Sequence, residues 1–143
     1  MSSESGTPAA TSRLALTGPA DQQFADRVLE SLDTFLAETV SDADRFRFML
    51  AVSEVVTNVV KHGGGEAEVD IEFTLSPVNL SAHISDTARP ADIDWETVRM
   101  PDESAESGRG LSLVLAVLDE FLHDASARGN TWRLHLRLED SAD

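Results

Sequence analysis

A chain of 143 residues with 41% hydrophobic content suits one compact, soluble domain with a real core. Its net charge of −15 at pH 7, with no basic patch, argues against nucleic acid and anionic membrane as partners. No apolar run approaches the roughly 20 residues that span a bilayer, and the absence of cysteine excludes disulfides, thiolate metal sites and cysteine nucleophiles.

The opening stretch, SSESGTPAATS, is small and polar, and predicts a disordered tail over residues 1–12. It lacks the basic start and apolar stretch of a signal peptide, so the expected location is the cytoplasm. A single domain is expected over residues 13–139, with a frayed tail at 140–143. Arg13 to Thr17 (RLALT) reads as a short edge strand, broken by Gly18-Pro19. From about Asp21 to Val40, Phe24, Val28, Leu29, Leu32, Phe35, Leu36 and Val40 recur at helical spacing. Ser41 followed by Asp44 resembles a capping box and opens a second helix.

That second helix is expected to run to about Lys61 and to end at Gly63, Gly64 and Gly65. At 3.6 residues per turn, Glu54, Asn58, Lys61 and His62 form one polar stripe. Leu50, Val52, Val55, Val56, Val59 and Val60 supply the apolar side. A polar stripe taken alone is more often a solvated face. An acid and a carboxamide one turn apart, beside basic groups, also suit a hydrated metal ion together with a phosphate chain.

Two strands follow. Ala67, Val69, Ile71, Phe73 and Leu75 alternate with polar residues, Ser76-Pro77 marks a turn, and Val78, Leu80, Ala82 and Ile84 alternate again. Asp86 falls in register with that second apolar set. Two readings stay open: an inward acid that needs a partner, or the first residue of a turn.

Thr87 to Arg109 has no periodicity, and a stretch of that length inside a domain reads as a lid or binding loop. Gly110 to about Leu122 reads as a helix, with Leu111, Val114, Val117, Leu118 and Phe121 on one face. Gly129-Asn130 is read as a turn, and Trp132, Leu134, Leu136 and Leu138 as a final strand. The basic outer face of that strand, Arg133, His135 and Arg137, is expected beside the acidic outer face of Ala67 to Leu75. The order gives an α+β class: a two-layer sandwich of a mixed, mostly antiparallel sheet with helices on one face. His83, His123 and His135 lack metal-ligand spacing, Ser53 and Ser112 lack triad partners, and Trp95 and Trp132 read as packing residues.

Three segments in this order carry a family resemblance. Glu54 to His62 reads as E-x-x-x-N-x-x-x-H within AVSEVVTNVVKHG. DTARP, Asp86 to Pro90, stands at a D-x-G-x-G motif, with Ala88 and Pro90 replacing its two glycines. GRGLSLV, Gly108 to Val114, places a G-x-G turn at a helix start, where glycines and free N–H groups favour anions. The chain thus resembles the GHKL ATPase superfamily over about residues 14–138. Within it, the resemblance is to the bacterial anti-sigma factor serine/threonine kinases.

The resemblance implies a Bergerat ATP-binding fold, with ATP and Mg2+ as cofactors. Asn58 would ligate Mg2+, and Glu54 would orient or deprotonate the attacking nucleophile. Asp86, assisted by Thr87, would accept a hydrogen bond from the adenine amino group. Gly108, Arg109, Gly110, Leu111 and Ser112 would wrap the phosphates beneath a lid over residues 91–107, with Lys61 or His62 nearby. The implied activity is transfer of the γ-phosphoryl group to a serine or threonine of an anti-sigma antagonist, a STAS-domain protein, together with restraint of a sigma factor. Relatives of this kind are often homodimers, and the sequence does not decide the point. Ala88 and Pro90 motivate a second expectation, a partner-binding module of the same fold with little or no nucleotide binding.

Overall fold

The computed structural model describes residues 11–63, 66–89 and 109–139. The elements are β1 (Ser12–Pro19), α1 (Gln22–Leu36), α2 (Asp42–Gly63), β2 (Glu68–Leu75), β3 (Asn79–Asp86), α3 (Arg109–Val117), β4 (Glu120–Ser126) and β5 (Gly129–Arg137). The strands form one sheet in the order β1-β2-β3-β5-β4. Every pairing among the described strands is antiparallel, so the expected mixed sheet is in fact uniform.

Period-two alternation decides which face is covered. Val69, Ile71, Phe73 and Leu75 of β2, Leu80, Ala82 and Ile84 of β3, and Trp132, Leu134 and Leu136 of β5 are all buried against the helices. Helix α1 starts at Asp21, whose side chain accepts a hydrogen bond from Phe24 N at 2.9 Å. Its residues Phe24, Val28, Leu32 and Leu36 recur every four positions and are all buried. Helix α2 starts as expected, with Asp44 N donating to Ser41 Oγ at 3.2 Å. It buries Phe48, Val52, Val55, Val56 and Val59. Phe48 meets Phe73 of β2 edge to face at 6.2 Å between centroids. Each such buried side chain contributes about 1.5–3 kcal/mol, so this layer contact holds the fold together.

Several expectations are corrected. Gly18-Pro19 does not break β1, because both residues stay paired with β2. Proline is tolerated there since β1 is an edge strand and ends at that residue. Helix α1 stops at Leu36, and the chain closes to Val40 through a turn in which Val40 N donates to Leu36 O at 3.0 Å.

The helix expected to reach Leu122 stops at Val117, and Glu120–Ser126 is strand β4. Leu118 and Phe121 fit a helical period, but Phe121 and His123 also fit a strand period, and a short apolar run does not separate the two. The open edge of β5 decides the matter. Asp119 N donates to His135 O at 2.9 Å and Arg137 N donates to Asp119 Oδ2 at 2.6 Å, hooking the chain onto β5.

The β4–β5 turn is Ala127-Arg128, since Ser126 pairs with Gly129. Gly129 opens β5 at φ 136°, a region that favours glycine. Strand β5 lies beside β3, not β2, so the expected pairing of its basic face with the acids of β2 does not form directly. Instead Glu72, His83 and Arg133 form one row across β2, β3 and β5. Among the described helices, none is long and apolar enough to cross a membrane.

Candidate functional site

The α2 stripe is half-buried at Glu54 and Asn58, and exposed at Lys61 and His62 in the last turn. Asn58 Nδ2 donates to the carbonyl of Glu54 at 2.9 Å. That bond fixes the amide on the helix and uses one of its two N–H groups. Oδ1, the atom with which an amide binds metal, has no hydrogen-bond donor among the described residues.

Helix α3 packs against α2. At its first turn Gly110 faces the Glu54 carboxylate so closely that a Cβ there would collide with Oε1. The first and third sequence motifs therefore meet, with an acid set against the start of a helix whose free N–H groups favour anions. Leu111 is buried in the core and Ser112 is half-buried. Arg109 begins α3. Gly108 and the expected lid, residues 91–107, lie outside the described residues, as does Pro90.

Asp86 is the last residue of β3 and is 5% exposed, which settles its direction as inward. Burial of a carboxylate requires donors, and three converge on it. Ala88 N donates to Oδ1 at 2.9 Å, Asn130 Nδ2 to Oδ1 at 3.0 Å, and Trp132 Nε1 to Oδ2 at 3.3 Å. Ala88 itself is buried.

Thr87 turns elsewhere. Its Oγ1 accepts from Glu68 N at 2.9 Å and its N–H donates to Glu68 O at 3.1 Å, so it closes the end of the β2–β3 pair and makes no hydrogen bond to Asp86. The C-terminus of α2 reaches the same end of the sheet, because a Cβ at Gly63 would meet Ala67 Cβ at 3.1 Å and Ala20 Cβ at 2.6 Å.

Sequence reasoning did not place Asn130 or Trp132 in the site. By local signals Asn130 reads as a turn residue, and Trp132 as packing only. The signal was available in parity: Asn130 shares the inward parity of Trp132, Leu134 and Leu136, so it is a polar residue at a core position, as Asp86 is. Its register partner is Asp86 itself.

Among the described residues, no group of three or more His, Asp or Glu side chains is arranged to hold a metal ion. A single amide oxygen on a helix still fits Mg2+, which keeps several waters and is commonly shared with substrate phosphates.

A family model described as "Histidine kinase-like ATPase domain" matches residues 18–136. No curated protein matches the chain. Among solved structures, the RsbU and RsbW domains of Rv1364c from Mycobacterium tuberculosis share the fold, with a TM-score of 0.66 and 24% identity. That match covers 89% of this chain and 32% of the other, so the chain spans about a third of its length. The histidine kinase domain of the blue-light activated histidine kinase EL346 from Erythrobacter litoralis is similar with a TM-score of 0.52 and 20% identity, covering 84% of this chain and 61% of the other.

Proposed function

This chain belongs to the histidine kinase-like ATPase domain family, and from that premise we propose that it is an ATP- and Mg2+-dependent regulatory kinase of the anti-sigma type. The observation that carries the reading is the meeting of Glu54 with Gly110 one helical turn from Asn58. It sets a carboxylate against a helix start, with the Asn58 amide one turn along α2 from that carboxylate. Phosphoryl transfer needs such positioned groups more than covalent chemistry from the protein.

In this reading Asn58 Oδ1 holds Mg2+, and the metal, when bound, neutralises phosphate charge. The start of α3, with Gly110, Leu111 and Ser112, receives the phosphate chain. Glu54 accepts the proton of the attacking hydroxyl and orients that hydroxyl. Lys61, exposed beside His62 on the last turn of α2, is within the same stripe and adds positive charge near the phosphates. Asp86 offers a carboxylate oxygen to the amino group of the base. The acceptor is a serine or threonine of a small antagonist protein, and a sigma factor is the restrained partner. The similarity to a chain carrying RsbU and RsbW domains supports this choice of partners only through the fold.

A second reading, a partner-binding module without turnover, is favoured by one observation. The Asp86 carboxylate already has three donors from its own chain, and Ala88, which supplies one of them, is itself buried. Calorimetric titration with ATP, with and without Mg2+, separates the two. The kinase reading expects magnesium-dependent binding that Asn58→Ala loses, and transfer of labelled phosphate to an antagonist. No binding at millimolar ATP would overturn it in favour of the module.

A further inference from the structure

We propose that His123 is a positioning residue that acts through Asn130 and Trp132 to fix the Asp86 carboxylate for recognition of an amino-bearing base. The side chains lie on three neighbouring strands: Asp86 on β3, Asn130 and Trp132 on β5, and His123 on the edge strand β4.

The hydrogen bonds leave little freedom. A carboxylate only accepts, so the Asn130 group nearest Asp86 must be the NH2. Asn130 Nδ2 donates to Asp86 Oδ1 at 3.0 Å and to the carbonyl of Arg89 at 3.0 Å. Both of its hydrogens are thereby directed, and two acceptors on one side fix the amide orientation. Asn130 Oδ1 then faces His123 Nε2 at 2.9 Å. An amide oxygen only accepts, so His123 must carry its proton on Nε2.

The same imidazole supports the other donor. Its ring lies on the Trp132 indole, 4.2 Å between centroids, and Phe121 stacks on that indole at 6.1 Å. Trp132 Nε1 in turn donates to Asp86 Oδ2 at 3.3 Å. One histidine therefore backs both β5 donors to Asp86. Rotation of the Asn130 amide would put an oxygen against the Asp86 carboxylate, and the His123 N–H opposes that rotation.

The relay itself stands on these contacts, whereas its effect on base binding rests on the nucleotide-site reading above. The test has two arms. In the ligand-free protein, long-range 1H–15N NMR of the imidazole should show the neutral ring of His123 as the Nε2–H tautomer. A neutral Nδ1–H tautomer would overturn the relay whether or not any nucleotide binds.

In the second arm, dissociation constants for ATP and for inosine triphosphate, which lacks the 6-amino group, are compared across variants. His123→Leu should weaken ATP about ten-fold, the worth of one lost hydrogen bond, and leave the inosine nucleotide unchanged. His123→Gln, which keeps an N–H donor, should restore most of the loss. Equal weakening of both nucleotides, or none, would overturn the positioning role. Absence of all nucleotide binding in the wild type would sink the nucleotide-site reading, and the tautomer would still decide the relay.

Discussion

The Glu54 carboxylate lies against Gly110 at the first turn of α3, with no room for a side chain between them. This contact ties the polar stripe of α2 to the start of α3. Gly110→Ala tests it. Alanine is the better helix former by about 1 kcal/mol, and the colliding atom is the far end of a flexible side chain. The fold should persist, with circular dichroism unchanged. Phosphoryl transfer should fall at least ten-fold, because the carboxylate is pushed from its place. Wild-type transfer by this variant would show that the contact is incidental.

Glu54 and Asn58 should separate by kinetics. Glu54→Gln keeps size and hydrogen bonding but cannot take a proton, so it should lower turnover by about 10²–10⁴-fold while ATP still binds. Asn58→Ala should remove the magnesium dependence of binding. Parallel losses of binding in both variants would contradict the division of roles.

Asp86 is a structural acceptor as well as a candidate base contact. Asp86→Ala leaves the N–H groups of Ala88 and Trp132, and one of the two Asn130 amide hydrogens, without an acceptor in a buried place. With each unsatisfied group costing about 1–3 kcal/mol and water entering in part, the expected loss is about 2–4 kcal/mol in urea unfolding. Trp132 emission should shift as well, since the indole loses its partner.

A remote acid gives the matching control. Asp44 is 1% exposed at the start of α2. Glu139 N donates to its Oδ2 at 2.9 Å, and Arg47 stands 3.2 Å from its Oδ1. Arg47 also reaches Glu139 at 2.9 Å, so the cluster ties α2 to the chain just past β5. Asp44→Ala should cost about 1–3 kcal/mol, the low end reflecting the partial exposure of Arg47. Asp44→Asn, which still offers an oxygen to Glu139 N, should cost less. ATP affinity should be unchanged in both, and a change would link this end of the fold to the site.

The parts legible without the fold are those whose signals are local. Helical spacing from Phe24 to Leu36, the Ser41 cap, the strand alternation around Phe73 and Leu80, and the Glu54–Asn58 stripe follow from periods of 3.6 and 2 that each segment carries alone. The register of Asp86 with the inward set is also legible, but whether it faces the core or opens a turn, and which donors meet it, is not.

Tertiary structure decided what depends on a neighbour. Residues 120–126 became a strand because β5 offered an open edge, although Leu118 and Phe121 fit a helix equally well. Strand β5 took its place beside β3, which no local period specifies, and so set Arg133 in the row of His83 rather than against β2. That choice brought Asn130 opposite Asp86 and Trp132 opposite Ile84. A buried carboxylate must be satisfied by whatever donors the sheet order puts near it, and only the assembled sheet names them.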